Sequence, residues 1–260
     1  MIAPALEVTA LSKAFGGLAA IDDVSFVIPD GSLTALIGPN GAGKTTLFNL
    51  VTNLFAPDAG RVRFHGKLLE GMSLGEIAKL GLLRTFQTAR VFPGMTAIEN
   101  VLVGAHCHIR SSALAQMLWL SGSRREERAF AEKADALLDL VGLSLFRDRA
   151  ATSLPVGAQK LVELCRALMA QPRLLLLDEP AAGLNDAETA ALAALLRAVR
   201  DVGITVLVVE HNMSLVMDVA DQVIVLDTGM LIASGTPKAV QRDPRVVAAY
   251  LGASDRYEDA

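Results

Sequence analysis

The chain has 260 residues, 52% of them hydrophobic, and a formal net charge of −4. That length and apolar share suffice for one large or two smaller buried cores, and the acidic balance argues against a nucleic-acid partner held by phosphate neutralisation. No run of about 18 apolar residues is free of charge, so no segment is expected to span a bilayer, and any membrane role must pass through a partner. The opening Met1-Ile-Ala-Pro-Ala-Leu-Glu7 lacks a basic stretch followed by an apolar one, so no secretory signal is expected. Cys107 and Cys165 fit a reducing compartment without a structural disulfide, and cytoplasmic residence is the expectation.

Leu6 to Leu11 alternates and predicts a first strand, followed by a turn over Ser12 to Gly17. That turn carries Phe15, a ring placed either to stack on a base or to enter the core. Val24 to Ile28 predicts a second strand closed by Pro29-Asp-Gly31, and the two read as an antiparallel edge sheet. Ser32 to Ile37 then reads as a short buried strand.

Directly after it comes Gly38-Pro39-Asn40-Gly41-Ala42-Gly43-Lys44-Thr45, with Thr46 leading on into helical character. Every position of the phosphate-binding pattern G-x-x-x-x-G-K-[ST] is met, in the strand, loop, helix order that the chemistry requires. The glycines let successive backbone N–H groups turn toward one anion, and the helix N-terminus adds its unpaired donors and partial positive charge. Lys44 is then placed to reach β- and γ-phosphates, and the Thr45 hydroxyl to coordinate Mg²⁺.

Further along, Arg61 to Phe64 predicts a strand, and Ser73 caps a helix running to about Leu80. Leu82 to Phe86 predicts a strand ending at Gln87. From about Thr88 to Gln159 the periodicity turns helical, which predicts an inserted helical subdomain. His106-Cys107-His108 has metal-ligating side chains, but consecutive residues do not converge on one ion, so no metal site is assigned there. Leu174 to Leu177 followed by Asp178-Glu179 predicts a parallel strand buried on both faces, and Ile204 to Val209 before Glu210-His211 predicts another. A helix from Asp186 to about Val202 lies between them. A short helix near Met213 to Val219, a hairpin over Val223 to Ala233 and a tail helix opened by Thr236-Pro237 complete the chain.

Strand ends of a doubly wound sheet share one crevice, so Gln87, Asp178, Glu179 and His211 are expected to meet the glycine loop. Asp178 takes the place of the acid that holds Mg²⁺, generally through water, once Thr45 has taken one coordination place; Gln87 reaches the ion and the attacking water from the side, and Glu179 orients or deprotonates that water. His211 hydrogen-bonds the γ-phosphate or the water.

These motifs together resemble the ATP-binding subunit of ATP-binding cassette transporters, nearly end to end. Phe15 is similar to its aromatic A-loop, Gly38 to Thr45 to Walker A, Gln87 to the Q-loop, and Leu174 to Asp178 to Walker B, with Glu179 as the catalytic acid. Gly183-Leu-Asn185 is similar to the D-loop and His211 to the switch histidine. Phe15-Gly-Gly-Leu18, Arg84-Thr-Phe-Gln87, Glu179-Pro-Ala-Ala-Gly-Leu-Asn185, Glu210 to Met217 and Ala249-Tyr-Leu-Gly252 resemble the branched-chain amino acid importer subfamily. Lipopolysaccharide-exporter ATPases are a near neighbour, and a soluble ATP-driven switch of the same superfamily is the competing class.

The resemblance implies an α/β fold: a P-loop NTPase core with a parallel sheet, an antiparallel β subdomain and a helical insertion. The expected core is 1–87 with 160–260, and the expected insertion is 88–159. It also implies ATP and Mg²⁺ as ligands, and a second ATPase subunit, identical or not, that shares two ATPs with this one. Permease subunits at the cytoplasmic face of the plasma membrane, and a periplasmic binding protein acting through them, are the further implied partners. The signature that would face the partner's ATP is Leu154-Pro155-Val156-Gly157-Ala158-Gln159, which departs from Leu-Ser-Gly-Gly-Gln. Pro155 has no hydroxyl to donate, so what survives is the Gly157 amide and the dipole of the next helix. The expectation is a complete Walker site here and a weaker site where this signature is lent. Asn185 replaces the common D-loop acid. Arg90 to Asn100 resembles the groove for a membrane-subunit helix, with Phe92 and Met95 as either groove or core residues.

Overall fold

The computed structural model describes residues 4–85, 90–108 and 121–254, which divide into two compact units. The first comprises 1–84, 173–180 and 196–260, the second 85–172 and 181–195. Residues 160–172 and 181–195, expected with the core, thus group with the helical unit, because the helix running through 160–169 packs on the helix over 97–103.

In the first unit, β1 (Pro4–Phe15) and β2 (Leu18–Pro29) form a long hairpin closed by Gly16 and Gly17, at φ 55° and 90°. A two-residue hairpin turn of type I′ needs left-handed backbone at both central positions, and this pair supplies it. The strand therefore runs through Ser12 to Phe15, where a turn was expected. Register shifts between Val8 and Ala14, with Ala10 at φ 49°, bend it on the way. β4 (Ala59–Phe64) and β5 (Lys67–Leu68) complete an antiparallel sheet in the order β2-β1-β4-β5.

The second sheet runs β10-β9-β3-β8-β7-β6. Its members are β3 (Leu33–Ile37), β6 (Leu82–Arg84), β7 (Leu174–Asp178), β8 (Thr205–Val209) and β9 (Gln222–Asp227), all parallel, with β10 (Met230–Gly235) antiparallel at one edge. Every residue of β3, β7 and β8 is buried, as continuous apolar runs covered on both faces require. Leu36 pairs with Val209 and Ile224, and Asp178 with Val209, so the C-terminal ends of these strands stand level. One core joins both sheets through Leu47, Phe48, Leu50 and Val51 of α1 (Lys44–Val51). α2 (Leu74–Lys79) begins at a capping box of Ser73 and Glu76.

The second unit holds α3 (Ala97–Val103), α4 (Ser121–Leu140), α5 (Val156–Met169) and the first turns of α6 (Asp186–Asp201). Ile98, Val101, Leu138, Leu161, Val162 and Leu168 are among its buried side chains. Back in the first unit, α7 (Met213–Val219) follows β8. The expected single tail helix is two, α8 (Pro237–Gln241) and α9 (Pro244–Ser254), because Pro244 forms no interior helical bond and restarts the chain.

Candidate functional site

The loop between β3 and α1 is shaped by positions that admit no side chain. A Cβ on Gly38, at φ 154°, would stand 2.2 Å from the Leu226 carbonyl oxygen, and one on Gly43, at φ 98°, 2.6 Å from that of Ala20. Gly41, at φ 80°, has open space around it and needs glycine for its backbone alone. Pro39, Asn40 and Ala42 complete the loop, and the Ala42 amide donates to the Pro39 carbonyl at 3.2 Å. Lys44 folds back over it: Nζ donates to the carbonyls of Gly38 at 2.7 Å and Pro39 at 2.9 Å. Burial lowers the Lys44 pKa, against the opposing pull of Glu179 and Asp178. Both acids stand at the end of β7, in the sheet that carries the loop.

Asp178 closes β7 with its side chain buried, and Oδ2 accepts from Arg84 Nη2 at 2.9 Å. Glu179 follows in left-handed backbone at φ 48°, its amide donating to the Val209 carbonyl at 3.0 Å. A non-glycine residue held there costs about 1–2 kcal/mol, strain of the kind found where a side chain must be aimed. Glu179 Oε2 lies 3.9 Å from Nδ1 of His211, whose ring is largely exposed. Glu210, fully buried, fixes the backbone beneath: Oε2 accepts from the amides of His211 at 3.1 Å and Asn212 at 3.3 Å. Asn212 then caps α7 through the Leu215 amide. Lys44, Asp178, Glu179 and His211 thus lie at one end of one parallel sheet, while Gln87 falls outside the described residues.

This arrangement fits a triphosphate with a hard divalent cation. The Lys44 ammonium sits on carbonyls that phosphate oxygens can replace, α1 starts at a left-handed Gly43 with no side-chain cap on its first amides, and the Thr45 hydroxyl and Asp178 carboxylate are hard oxygen donors. Phe15 is 45% exposed, edge-on to Phe55 with ring centroids 5.7 Å apart, so of its two expected placements the core is ruled out. Asp58 orders the strand that presents it, accepting from Lys13 Nζ at 2.7 Å and the Ala14 amide at 2.8 Å.

In the second unit, Pro155 stands at the N-cap of α5 and makes no side-chain cap bond. Leu154 and Ala158 are buried and Val156 is 64% exposed. Gln159 Nε2 turns back to the Leu154 carbonyl at 2.8 Å. A Cβ on Gly157 would lie 2.4 Å from Oε2 of Glu188. That carboxylate is held by Asn185, whose amide donates to it at 3.0 Å while its Oδ1 accepts from the Glu188 amide at 2.9 Å. Asn185 is therefore the N-cap of α6, a role that the sequence pattern Asn-x-x-Glu carries. Phe92 and Met95 are exposed at 44% and 38%, which excludes the core placement for both. Buried Asn100 holds their loop, accepting from the Phe92 amide at 2.7 Å.

Sequence reasoning missed Arg84, Asn49 and Glu210. A charge at the end of an apolar strand was the available signal for Arg84 and Glu210. Asn49, which accepts from Arg84 Nη1 at 2.6 Å, had none.

Comparison with known proteins extends the site to the whole chain. The family model for ABC transporters matches residues 21–182, and that for branched-chain amino acid ATP-binding cassette transporters matches 230–256. The chain is 43% identical over 253 residues to the high-affinity branched-chain amino acid transport ATP-binding protein BraF of Pseudomonas aeruginosa, covering 97% of this chain and 99% of that one. It is 39% identical to LivG of Escherichia coli at the same coverage. The crystal structure of the ADP conformation of an ATP-binding cassette of an ABC transporter superposes with a TM-score of 0.80 at 36% identity, covering 96% of this chain and 99% of that one. A phosphate loop built of obligatory glycines, acids at the end of another parallel strand of the same sheet and these full-length matches lead to one conclusion: the chain belongs to the ATP-binding cassette family of ABC transporters and is an ATPase of that family.

Proposed function

We propose that this chain is the ATP-hydrolysing subunit of an importer for branched-chain or related amino acids, working as one half of a pair of nucleotide-binding subunits. The observation that carries it is a phosphate loop with Lys44 folded onto its own carbonyls, built on the same parallel sheet whose strand β7 ends in Asp178 and Glu179, supported by the length over which BraF and LivG match. Those relatives favour neither a lipopolysaccharide exporter nor a soluble switch.

In this reading Lys44 leaves the Gly38 and Pro39 carbonyls for the β- and γ-phosphates, and the amides of Gly41 to Thr46 surround the same oxygens. Phe15 stacks on the adenine. Thr45, Asp178 and Gln87 hold Mg²⁺, which when bound neutralises charge on the phosphates. Glu179 accepts a proton from a water whose oxygen attacks the γ-phosphorus; the bond to the bridging oxygen breaks, and ADP and phosphate leave. His211 donates to the γ-phosphate. Leu154 to Gln159 meet the partner's ATP through the Gly157 amide and the start of α5, and without a hydroxyl at Pro155 that second site is the weaker one. A lost hydrogen bond to a charged group is worth about 1.5–3 kcal/mol there. Permease subunits at the cytoplasmic face of the membrane dock on the loop of Phe92 and Met95, and a periplasmic binding protein delivers the cargo to them.

Phosphate release by the purified chain, alone and with its membrane partners, tests this. Turnover stimulated by a permease and a loaded binding protein is expected. Absence of both nucleotide binding and phosphate release would overturn the reading.

A further inference from the structure

Asp178 is in contact with Arg84 and in the field of Lys44, and the two cations differ in kind. Lys44 rests on carbonyls of its own loop and is free to transfer to phosphate, whereas Arg84 is built in. Its Nη2 donates to Asp178 Oδ2 at 2.9 Å, its Nη1 donates to Asn49 Oδ1 at 2.6 Å, and its guanidinium carbon stands 5.6 Å from the Phe48 ring centroid. Both partners of the ion pair are largely buried, the side chains 18% and 8% exposed, so solvent screens the attraction little. Three elements converge on this guanidinium: the end of β6, the middle of α1 and the end of β7. Breaking a buried ion pair leaves an uncompensated charge, which opposes any departure of Arg84 from Asp178.

We propose that Arg84 is a fixed counter-ion of Asp178 that disfavours free divalent cation at this carboxylate, so that the metal enters only with a triphosphate; this rests on the metal role of Asp178 given above. One carboxylate oxygen is occupied by the guanidinium, and the positive charge beside it opposes a doubly charged ion. Holding the carboxylate in one orientation favours the metal, but that is a matter of side-chain freedom and is outweighed by a full charge at contact distance. Bound triphosphate reverses the balance, because its own negative charge faces both cations and the metal together. Arg84 is thus a positioning residue that acts through Asp178.

The test is Mn²⁺ binding to the full chain without nucleotide, read by the loss of the free-ion electron paramagnetic resonance signal. Arg84→Gln keeps hydrogen-bond donors and removes the charge. It should bind Mn²⁺ about tenfold or more tightly than the wild type, the scale on which an adjacent opposite charge shifts ion binding to a carboxylate. Arg84→Met should do the same, Arg84→Lys should stay near wild type, and adding Asp178→Asn to Arg84→Gln should abolish the gain. Asn49→Ala loosens the guanidinium without removing it and should give a smaller gain, which keeps the test open if neither neutral variant folds. Unchanged or weaker Mn²⁺ binding in the neutral variants, or a gain that survives Asp178→Asn, would overturn the proposal. Binding of a fluorescent ATP analogue to the wild type without metal checks the nucleotide reading separately, and its failure would be recognised as such.

Discussion

Oε2 of Glu179 stands 3.9 Å from Nδ1 of His211, and the backbone that brings the carboxylate there is left-handed at φ 48°. The conformation serves the aim of the side chain at the expense of local stability. Replacing Glu179 by Gly should therefore give a protein more stable than the Ala variant by roughly 1 kcal/mol, measured by chemical denaturation, because only glycine relaxes there without strain. Equal stabilities would mean that the turn carries no strain.

The same residue is expected to matter to hydrolysis far more than to binding. Glu179→Gln should bind ATP with affinity near wild type and release phosphate about 10²–10⁴ times more slowly, the range for loss of a positioned general base. Single-turnover phosphate release beside equilibrium nucleotide binding separates the two effects.

The glycines of the phosphate loop should not be equivalent. Gly38→Ala and Gly43→Ala drive a Cβ onto main-chain oxygens at 2.2 Å and 2.6 Å, which cannot swing aside as a side chain can. Gly41→Ala meets nothing and bears only the left-handed cost of about 1–2 kcal/mol. Thermal melts should rank Gly41→Ala well above the other two, and nucleotide affinity should follow the same order.

Asp58 ties the end of β1 beneath Phe15, and its hydrogen bonds to Lys13 and the Ala14 amide hold its carboxyl below the usual carboxylate range. A folded-state pKa below the unfolded value gives a contribution that is present above the unfolded pKa and lost as pH falls through the folded one. Asp58→Asn should therefore lower stability at neutral pH and show a shallower loss below about pH 4 than wild type. Parallel acid titrations of unfolding would show it, and parallel curves would discount the interaction.

Asn185 and Glu188 close the start of α6 reciprocally, and the Glu188 carboxylate fills the space beside Gly157. Asn185→Ala should cost about 1 kcal/mol through loss of the cap. Gly157→Ala should destabilise by crowding that carboxylate, and Glu188→Ala in the same chain should restore part of the loss. Additive penalties in the double variant would contradict the contact.

Local rules carried much of this protein into view from its letters alone. Gly38 to Thr45 declared a phosphate loop because each glycine answers a backbone demand that few other residues meet, and the apolar runs before Asp178 and Glu210 declared buried parallel strands because charge is tolerated only where such strands emerge. Ser73 announced a helix start by the same kind of short-range rule, to which the structure adds Glu76 as the reciprocal partner. Contacts between residues far apart in the chain were invisible there: that Arg84 is anchored to Asn49 and pairs with Asp178, and that Phe15 stays at the surface beside Phe55. Sequence records which groups a segment offers, since propensity and patterning act over a few residues. Only the tertiary structure decided which of those groups meet, because a buried ion pair and the bond that anchors it depend on how elements 35 to 94 residues apart are laid side by side.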